Sequence, residues 1–239
     1  ADARSDLERL FADERAFTWR EDPLSATADG VRTYDDRLPG VTPADQARRL
    51  AADREFLARL RAIDRGALTD FDAVSRDLFE FMVSQRIALG RYREWRAPLN
   101  SDSGFYADIL QLHDLQAPRT PKDYENYLAR LADVGRYFDE NIANMRQGIA
   151  DGFVLPAEIL PGISSVIASA QYARAEDSPF WIPFAEFPAS VPEAERGRLA
   201  AAGRVTIERE VIPAYGKFRE FFENEYRPAA RRTIGATDL

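Results

Sequence analysis

Apolar residues recur every three or four positions along most of the chain, which is the spacing of amphipathic helices. Two S-x-x-E sequences, beginning at Ser5 and Ser190, predict capping boxes at helix starts. The first helix must end before Pro23, and residues 22–40 are predicted to be irregular. No segment alternates with period two for long enough to predict a strand. The pattern therefore predicts an all-α multi-helix bundle with six or seven main helices.

Three later helices have strong start signals. Thr42 and Thr120 each stand directly before a proline, and Thr69 stands at an N-cap position. The signal at Thr120 opens the clearest pattern, which predicts one long helix ending at Gly148 or Gly152. The helix that follows Thr69 carries an apolar stripe of Val74, Leu78, Phe81, Met82 and Leu89.

Composition narrows the classes of function. With 239 residues and 45% hydrophobic content the chain can form a sizeable core, and we treat residues 1–239 as a single helical domain. A net charge of −8 argues against nucleic acid as a partner, because 40 acidic residues leave no basic surface. No apolar run approaches the length of about 18 residues that spans a bilayer, so no membrane span is predicted. The lack of cysteine excludes disulfides and thiolate metal sites.

The single histidine, His113, is the first residue to test for chemistry. A histidine zinc site needs a second imidazole, which this chain does not contain, so we predict no metal site in it. A serine triad remains formally open, with Ser101 or Ser103 and with Asp108 or Asp114 nearby, but no G-x-S-x-G or strand surrounds them. We favour a structural histidine on a short helix and predict no catalytic residue in the chain.

Two segments are candidates for a binding surface. The aromatic loop from Phe180 to Phe187 is better explained as core packing, because prolines and apolar side chains usually hold a long loop against a helical core. The segment before Tyr106 is polar, contains glycine and lies between two predicted helices, where backbone and amide groups can contact a ligand. The substrate-binding candidates are Asn100, Ser101, Ser103, Gly104 and Tyr106.

Four stretches, in this order, resemble the N-terminal half of the bacterial domain of unknown function 885 family. They are YDDRLPGVTPADQARRLAADREFLARLRAID, APLNSDSGFYADI, TPKDYENYLARLADVGRYFDENIANMRQGIADGFVLP and VIPAYGKFREFFENEYRPAAR. The most distinctive piece is R-x-G-I-x-x-G followed by V-L-P. The resemblance covers nearly the whole chain.

The resemblance implies an all-helical protein more than twice this length, often exported and similar to zinc-dependent helical peptidases. The His-Glu motif of such proteins lies in the C-terminal half, and this chain contains no such motif. The chain would then be the non-catalytic N-terminal half of an exported metallopeptidase-like hydrolase, forming one wall of a peptide-binding cleft. Zinc would belong to the C-terminal half, and no cofactor is expected in this chain. The alternative is a stand-alone helical module that binds a ligand or protein and has no enzymatic activity.

Two further expectations concern location and partners. The small-residue start at Ala1 and the lack of cysteine, together with the resemblance, favour a mature periplasmic or otherwise exported protein. The partner is expected to be the C-terminal half or a second copy of the chain, packed on apolar residues of the last long helix. Those residues are Val211, Phe218, Phe221 and Phe222.

Overall fold

The computed structural model describes residues 2–235, and helices are the regular secondary structure of that range. The first four helices are α1 Ala3–Glu21, α2 Pro23–Ala28, α3 Pro43–Arg61 and α4 Asp70–Gly90. The next four are α5 Phe105–Leu110, α6 Leu112–Leu115, α7 Pro121–Ala132 and α8 Val134–Asp151. The last five are α9 Leu160–Ser169, α10 Ile182–Ala185, α11 Glu193–Thr206, α12 Ile212–Phe221 and α13 Arg227–Ala229. The all-α prediction is confirmed, and within this range no helix is long and apolar enough to cross a bilayer.

Threonine caps begin three of the long helices, as predicted. The Thr42 hydroxyl accepts from the Asp45 backbone N–H at 3.2 Å, and the Asp45 carboxylate accepts from the Thr42 backbone N–H, which completes a capping box. Thr120 and Asp123 form the same box at the start of α7. At the start of α4 the Thr69 hydroxyl accepts from the backbone N–H three residues later.

The two predicted serine caps are wrong. Helix α1 already begins at Ala3, so Ser5 lies inside its first turn. Ser190 lies outside α11, and its hydroxyl donates to the carbonyl oxygen of Arg119 at 2.5 Å. The S-x-x-E spacing also places its two side chains on one face within a helix, so by itself it does not fix where the helix begins.

Two predicted boundaries also differ from the structure. Residues 22–40 are not wholly irregular, because Asp22 caps the short helix α2 by accepting from a backbone N–H in its first turn. The predicted long helix is interrupted at Asp133, whose backbone N–H bonds to the carbonyl of Arg130 three residues earlier. This tight turn separates α7 from α8. Helix α8 ends at Asp151 and is capped by Gly152 with a φ of 74°, as expected for a helix-ending glycine.

Buried apolar side chains form two clusters of very different size. The smaller one lies between α1 and α3 and consists of Leu7, Leu10, Phe56 and Leu60. Phe11 on α1 and Phe79 on α4 pack against it, with ring centroids 5.0 Å apart. We call α1, α3 and α4 the N-terminal layer. The larger cluster holds most of the buried residues from Leu99 onward, and we call α5 to α13 with their connecting loops the main body.

The last long helix is buried, so the expectation of an exposed face on it is wrong. A π-helical turn at Ile207–Val211 joins α11 to α12, and a second at Phe222–Tyr226 joins α12 to α13. The ring of Phe218 lies 4.9 Å from that of Phe105 on α5 and 5.9 Å from that of Phe138 on α8. The four predicted residues, Val211, Phe218, Phe221 and Phe222, are each at most 3% exposed. Helices of the same chain therefore cover this face.

The aromatic loop packs into the main body, as predicted. Phe180 and Phe184 are buried. The hydroxyl of Tyr127 on α7 donates to the carbonyl oxygen of Phe180 at 3.1 Å, and that of Tyr124 donates to the carbonyl oxygen of Pro183 at 2.5 Å. These bonds satisfy loop carbonyls that burial would otherwise leave without a partner.

Arg130 on α7 is completely buried and ties the segment around α2 to the main body. Its three nitrogens make five hydrogen bonds, which matches the five N–H donors of a guanidinium. The acceptors are the side chains of Thr27 and Gln116 and the carbonyl oxygens of Pro23, Tyr34 and Arg37. Burial lowers the pKa of Arg130 to about 10, so the group stays charged at neutral pH.

Helix α4 has one apolar face that nothing in residues 2–235 covers. Its buried residues include Ala73 and Val83, and Leu60 of α3 accepts a hydrogen bond from buried Arg76. A separate face carries Phe71, Val74, Leu78, Phe81, Met82 and Leu89, which are 48–80% exposed. We call these six residues the α4 stripe. At about 1.5 Å per residue it extends for about 27 Å along the helix.

Candidate functional site

A groove runs between the N-terminal layer and the main body. Its larger cavity, of about 640 Å³, is lined by the end of α1, by α2, and by residues of α5 and α8. A second cavity of about 430 Å³ adjoins it beside the loop before α5. The two cavities share Val41, Asp108 and Tyr137 in their walls. We call the pair the interlayer groove.

The predicted binding segment lies partly in this groove. Asn100, Ser103 and Gly104 line the smaller cavity. Ser101 is exposed outside the walls of both cavities. Tyr106 is fully buried in the main body, where its carbonyl oxygen accepts from the Tyr215 hydroxyl at 2.6 Å. The structure thus brings three of the five candidates to a cavity, and ligand binding by them stays a prediction.

Asn100 and Gly104 fix the shape of this segment. The Asn100 Oδ1 accepts from the backbone N–H groups of Asp102 and Ser103 and from the Ser103 hydroxyl, at 2.9–3.2 Å. Gly104 has a φ of 149°, and a Cβ there would lie 2.6 Å from the Cβ of Leu99. The side-chain acceptor of Asn100 is therefore used within the turn, and glycine is required at the close approach.

A strap over residues 37–42 forms part of the groove wall and is held by side chains of α8. Arg136 donates to the carbonyl oxygens of Leu38 and Pro39 at 3.2 Å. Glu140 accepts from the backbone N–H of Val41 at 2.9 Å, and Asn144 donates to the carbonyl oxygen of Val41 at 2.6 Å. These bonds pair backbone groups of the strap with side chains of α8 and so fix its position against that helix.

Carboxylates dominate the charge of the larger cavity. Its two arginines are neutralised, because Arg49 pairs with Glu21 and Arg86 pairs with Asp53. The carboxylates of Asp22 and Asp108, which line the same cavity, form no ion pair with any side chain of residues 2–235.

Burial and the charge of Asp22 raise the pKa of the Asp108 carboxyl. The pKa of Tyr137 is raised as well, first by burial and then by the charges of Asp108 and Asp22. The groove therefore holds a local excess of negative charge.

Sequence reasoning missed Asp22, Tyr137 and Asn141 as members of one site. Asp22 reads as a helix cap, and the other two lie more than a hundred residues further along the chain. One signal was available: Asn141 occupies the apolar face of α8 next to Phe138 and Ile142, and it is only 2% exposed. A buried amide on an apolar face often points to a specific polar contact.

His113 lies outside the interlayer groove. It sits on the short helix α6, largely buried, with Nδ1 3.1 Å from the carbonyl oxygen of Leu110, as expected for a structural histidine. It lines a different cavity beside Pro183 and Phe187. Across the described part of the chain, no group of three or more histidine, aspartate or glutamate side chains is placed to hold a metal ion.

The chain belongs to the bacterial family described as "Bacterial protein of unknown function (DUF885)", which it matches over residues 23–238. Among solved structures, the fold is similar to a crystal structure described as "the putative lipoprotein from Colwellia psychrerythraea", with a TM-score of 0.79 and 16% sequence identity. The match covers 97% of this chain and 43% of that protein, so the chain spans less than half of its relative's length. No curated protein matches the chain significantly.

Proposed function

We propose that the chain is the non-catalytic N-terminal half of an exported metallopeptidase-like hydrolase, and that the interlayer groove is one wall of its peptide-binding cleft. The observation that carries this proposal is the α4 stripe. Six large apolar side chains along one helix are an unusual surface for a monomer and are typical of a face that another polypeptide covers. The occupant is the C-terminal remainder of a longer protein.

The length of the similar structure supports this occupant. The Colwellia psychrerythraea protein matches nearly all of this chain with 43% of its own length, so it contains more than an equal length of further polypeptide. A remainder of that size can supply a second helical layer against α4. It would also have to supply the catalytic side chains and the zinc ligands, since the groove residues described here offer no metal-binding group.

The path of the chain near residue 231 also favours docking on α4. Arg231 donates its Nε to the carbonyl oxygen of Val154 at 3.0 Å. The adjacent ring of Phe153 lies 4.3 Å from the guanidinium of Arg96, which in turn donates to the carbonyl oxygen of Tyr92 just after α4. Contacts through Phe153 and Arg96 therefore connect Arg231 to the segment that follows α4.

Two observations support export of the protein. The similar structure is described as a lipoprotein, which fits a protein that crosses or is anchored at a membrane surface. A chain without cysteine also folds without regard to the redox state of its compartment.

A co-purification experiment tests the proposal. The gene is read past the codon for Leu239, and the following segment is produced as a separate polypeptide together with the 239-residue chain. We expect a one-to-one complex that hydrolyses peptides, whereas the 239-residue chain alone does not. A stop codon directly after Leu239 would refute the proposal and favour the stand-alone binding module.

Matched variants test the docking face. The double variant Leu78→Glu with Phe81→Glu places charges in the middle of the α4 stripe and should abolish the complex. Val205→Glu changes an apolar residue that is also exposed, at 49%, but lies on α11, and should leave the complex intact. If the complex survives the α4 variant, the second half docks elsewhere.

A further inference from the structure

The smaller cavity of the interlayer groove has a lining that is mostly neutral and polar. Its walls come from Gln46 on α3, from the segment 95–105 before and at the start of α5, and from one face of α8. That face carries Asn141 and Asn144, three residues apart. Among the described residues that line the cavity, Asp108 is the only charged one, so the cavity suits a ligand that is polar and uncharged.

Asn144 presents an amide oxygen to this cavity from a fixed position. The side chain is only 2% exposed, and its Nδ2 donates to the carbonyl oxygen of Val41 at 2.6 Å, which fixes the orientation of the amide. Within residues 2–235 no group donates to its Oδ1, and this atom keeps access to solvent. A buried carboxamide that is held at one end therefore has a free acceptor at the other.

Two further polar groups of the lining have no partner within residues 2–235. The side-chain amide of Gln46 forms no hydrogen bond there, and neither does the indole N–H of Trp95. Both residues also line a third cavity, of about 640 Å³, between α3, α4 and the end of α8. The fold does not use these two groups for its own hydrogen bonds, so they are available to a ligand.

The arrangement of the cavities favours an elongated ligand. The smaller cavity continues into the larger one where Val41 and Tyr137 line both. It continues into the third cavity where Gln46 and Trp95 line both. A compact molecule would occupy one cavity, whereas an extended chain can pass through the smaller cavity and continue at either end.

The free groups match the main chain of an extended peptide. Each peptide group has one N–H donor and one C=O acceptor, and a side-chain carboxamide has the same two functions. Trp95 can only donate, the free oxygen of Asn144 can only accept, and Gln46 can do both. Gln46 belongs to the N-terminal layer and Asn144 to the main body, so an extended segment between them can form hydrogen bonds along both of its edges.

We propose that the smaller cavity binds the main chain of an extended, uncharged peptide segment. Asn144 accepts from a peptide N–H, Trp95 donates to a peptide carbonyl oxygen, and Gln46 bonds to a peptide group from the opposite wall. Binding through main-chain groups depends little on the side chains of the ligand. This inference rests on the proposed function, since it names how the cleft wall holds a peptide, but the binding needs only this chain and can be tested separately.

Titration of the 239-residue chain by NMR tests the site. The chain has three tryptophans, so the Trp95→Phe variant identifies the indole N–H signal that belongs to Trp95. The probe is the acetylated and amidated tetrapeptide of alternating alanine and serine. Its analogue with one central amide N–H replaced by an ester oxygen is the matched control, and maltotriose is a polar ligand of another class.

We expect the tetrapeptide to shift the Trp95 indole signal in a saturable way. The ester analogue should bind about fivefold more weakly, because it lacks one hydrogen-bond donor. Maltotriose should cause no shift. A signal that does not respond to the tetrapeptide, an ester analogue that binds equally well, or tighter binding of maltotriose would overturn the proposal.

Variants assign the binding to the cavity. Gln46→Ala removes an amide that the fold does not use, and Trp95→Phe keeps a ring but removes its N–H, so each should lower the affinity for the tetrapeptide about fivefold. Backbone signals of residues 141–144 report the binding in both variants. Gln85→Ala and Trp181→Phe are the controls, because these residues line none of the three cavities, and they should leave the affinity unchanged.

Thermal unfolding of each variant confirms that it is folded before it is titrated. If folded Gln46→Ala and Trp95→Phe bind the tetrapeptide as tightly as the unchanged chain, the assignment is wrong. If the tetrapeptide binds as expected while no second half docks on α4, the main-chain site stands and the proposed function fails. If the two-chain complex hydrolyses peptides and Gln46→Ala leaves its KM unchanged, the proposed function stands and this site fails.

Discussion

Helices α4 and α12 carry apolar residues at the same helical spacing, yet the apolar face of α4 is exposed and that of α12 is buried. Phe218 on α12 is buried against rings from α5 and α8, whereas Phe81 on α4 is 61% exposed. The difference lies in the neighbours that each face has within the chain, since both sequences are equally able to form an amphipathic helix. Periodicity predicts an apolar face, but only the three-dimensional arrangement shows whether other helices of the same chain cover it.

The largest expected effect comes from truncating the two rings. Phe218→Ala removes a fully buried aromatic side chain, and we expect the free energy of unfolding to fall by about 4 kcal/mol. Phe81→Ala removes an exposed ring and should change it by no more than about 0.5 kcal/mol. Urea unfolding monitored by circular dichroism measures both. A similar loss in the two variants would mean that α4 is covered within the isolated chain.

The next effect concerns the link between α2 and the main body. Arg130→Met keeps much of the side-chain volume but removes all five hydrogen bonds of the buried guanidinium, so we expect a loss of about 3 kcal/mol in unfolding free energy. Arg146→Gln is the control, because the Arg146–Glu225 ion pair is exposed and contributes less than about 1 kcal/mol. Urea unfolding monitored by circular dichroism measures the free energy of unfolding of both variants. A loss below that of the control would show that the acceptors are satisfied by water.

A smaller effect is expected where α8 meets the segment that follows α4. A Cβ at Gly148 would lie 2.7 Å from the carbonyl oxygens of Arg96 and Phe153, so Gly148→Ala should cost about 2 kcal/mol through forced backbone movement. Gly197→Ala on α11 meets nothing within 4 Å and should stabilise the protein by about 0.5–1 kcal/mol. Thermal unfolding should show a lower melting temperature for Gly148→Ala and a higher one for Gly197→Ala. A Gly148→Ala variant that melts no lower than the unchanged chain would contradict the close approach.

The smallest expected effect is the contribution of Asp108 to the pH dependence of folding stability. Because its pKa is raised in the folded protein, folding favours the protonated carboxyl. The stability that it contributes is complete below the unfolded-state pKa and is lost as the pH rises through the folded-state pKa.

Asp108→Asn should therefore raise the melting temperature slightly at pH 7 and have no effect at pH 3. Melting curves of Asp108→Asn and of the unchanged chain from pH 3 to pH 7 measure this difference. Glu55→Gln is the control, because Glu55 is exposed on α3 and forms no ion pair within residues 2–235. A variant that is less stable at pH 7 would show that the charged carboxylate has a partner.

Helix starts could be predicted from sequence because their signals are local. Thr42 and Thr120 act on the backbone three residues away, and no distant part of the chain changes that bond. The break at Asp133 was missed because the apolar stripe continues through it, with Leu131 and Val134 both buried. Periodicity shows which residues face the core. It does not reveal a turn such as the one at Asp133, because the residues on both sides of that turn still face the core.

The candidate site shows the limit of local patterns more clearly. Asn100, Ser103 and Gly104 could be named because a polar turn between helices is visible in the sequence. The approach of Asp22 to Asp108 depends on how α2 packs on the main body, which Arg130 controls through bonds to residues about a hundred positions away. Contacts over such separations leave no periodic signature.

The small size of the cluster in the N-terminal layer has a consequence for local unfolding. Only Leu7, Leu10, Phe56 and Leu60 form its buried centre, whereas the main body buries several times as many apolar side chains. The layer can therefore open as a unit at a lower free energy than global unfolding requires. Backbone amides of α1, α3 and α4 would exchange with deuterated solvent sooner than those of α8 and α12, and a polypeptide docked on the α4 stripe would slow that exchange.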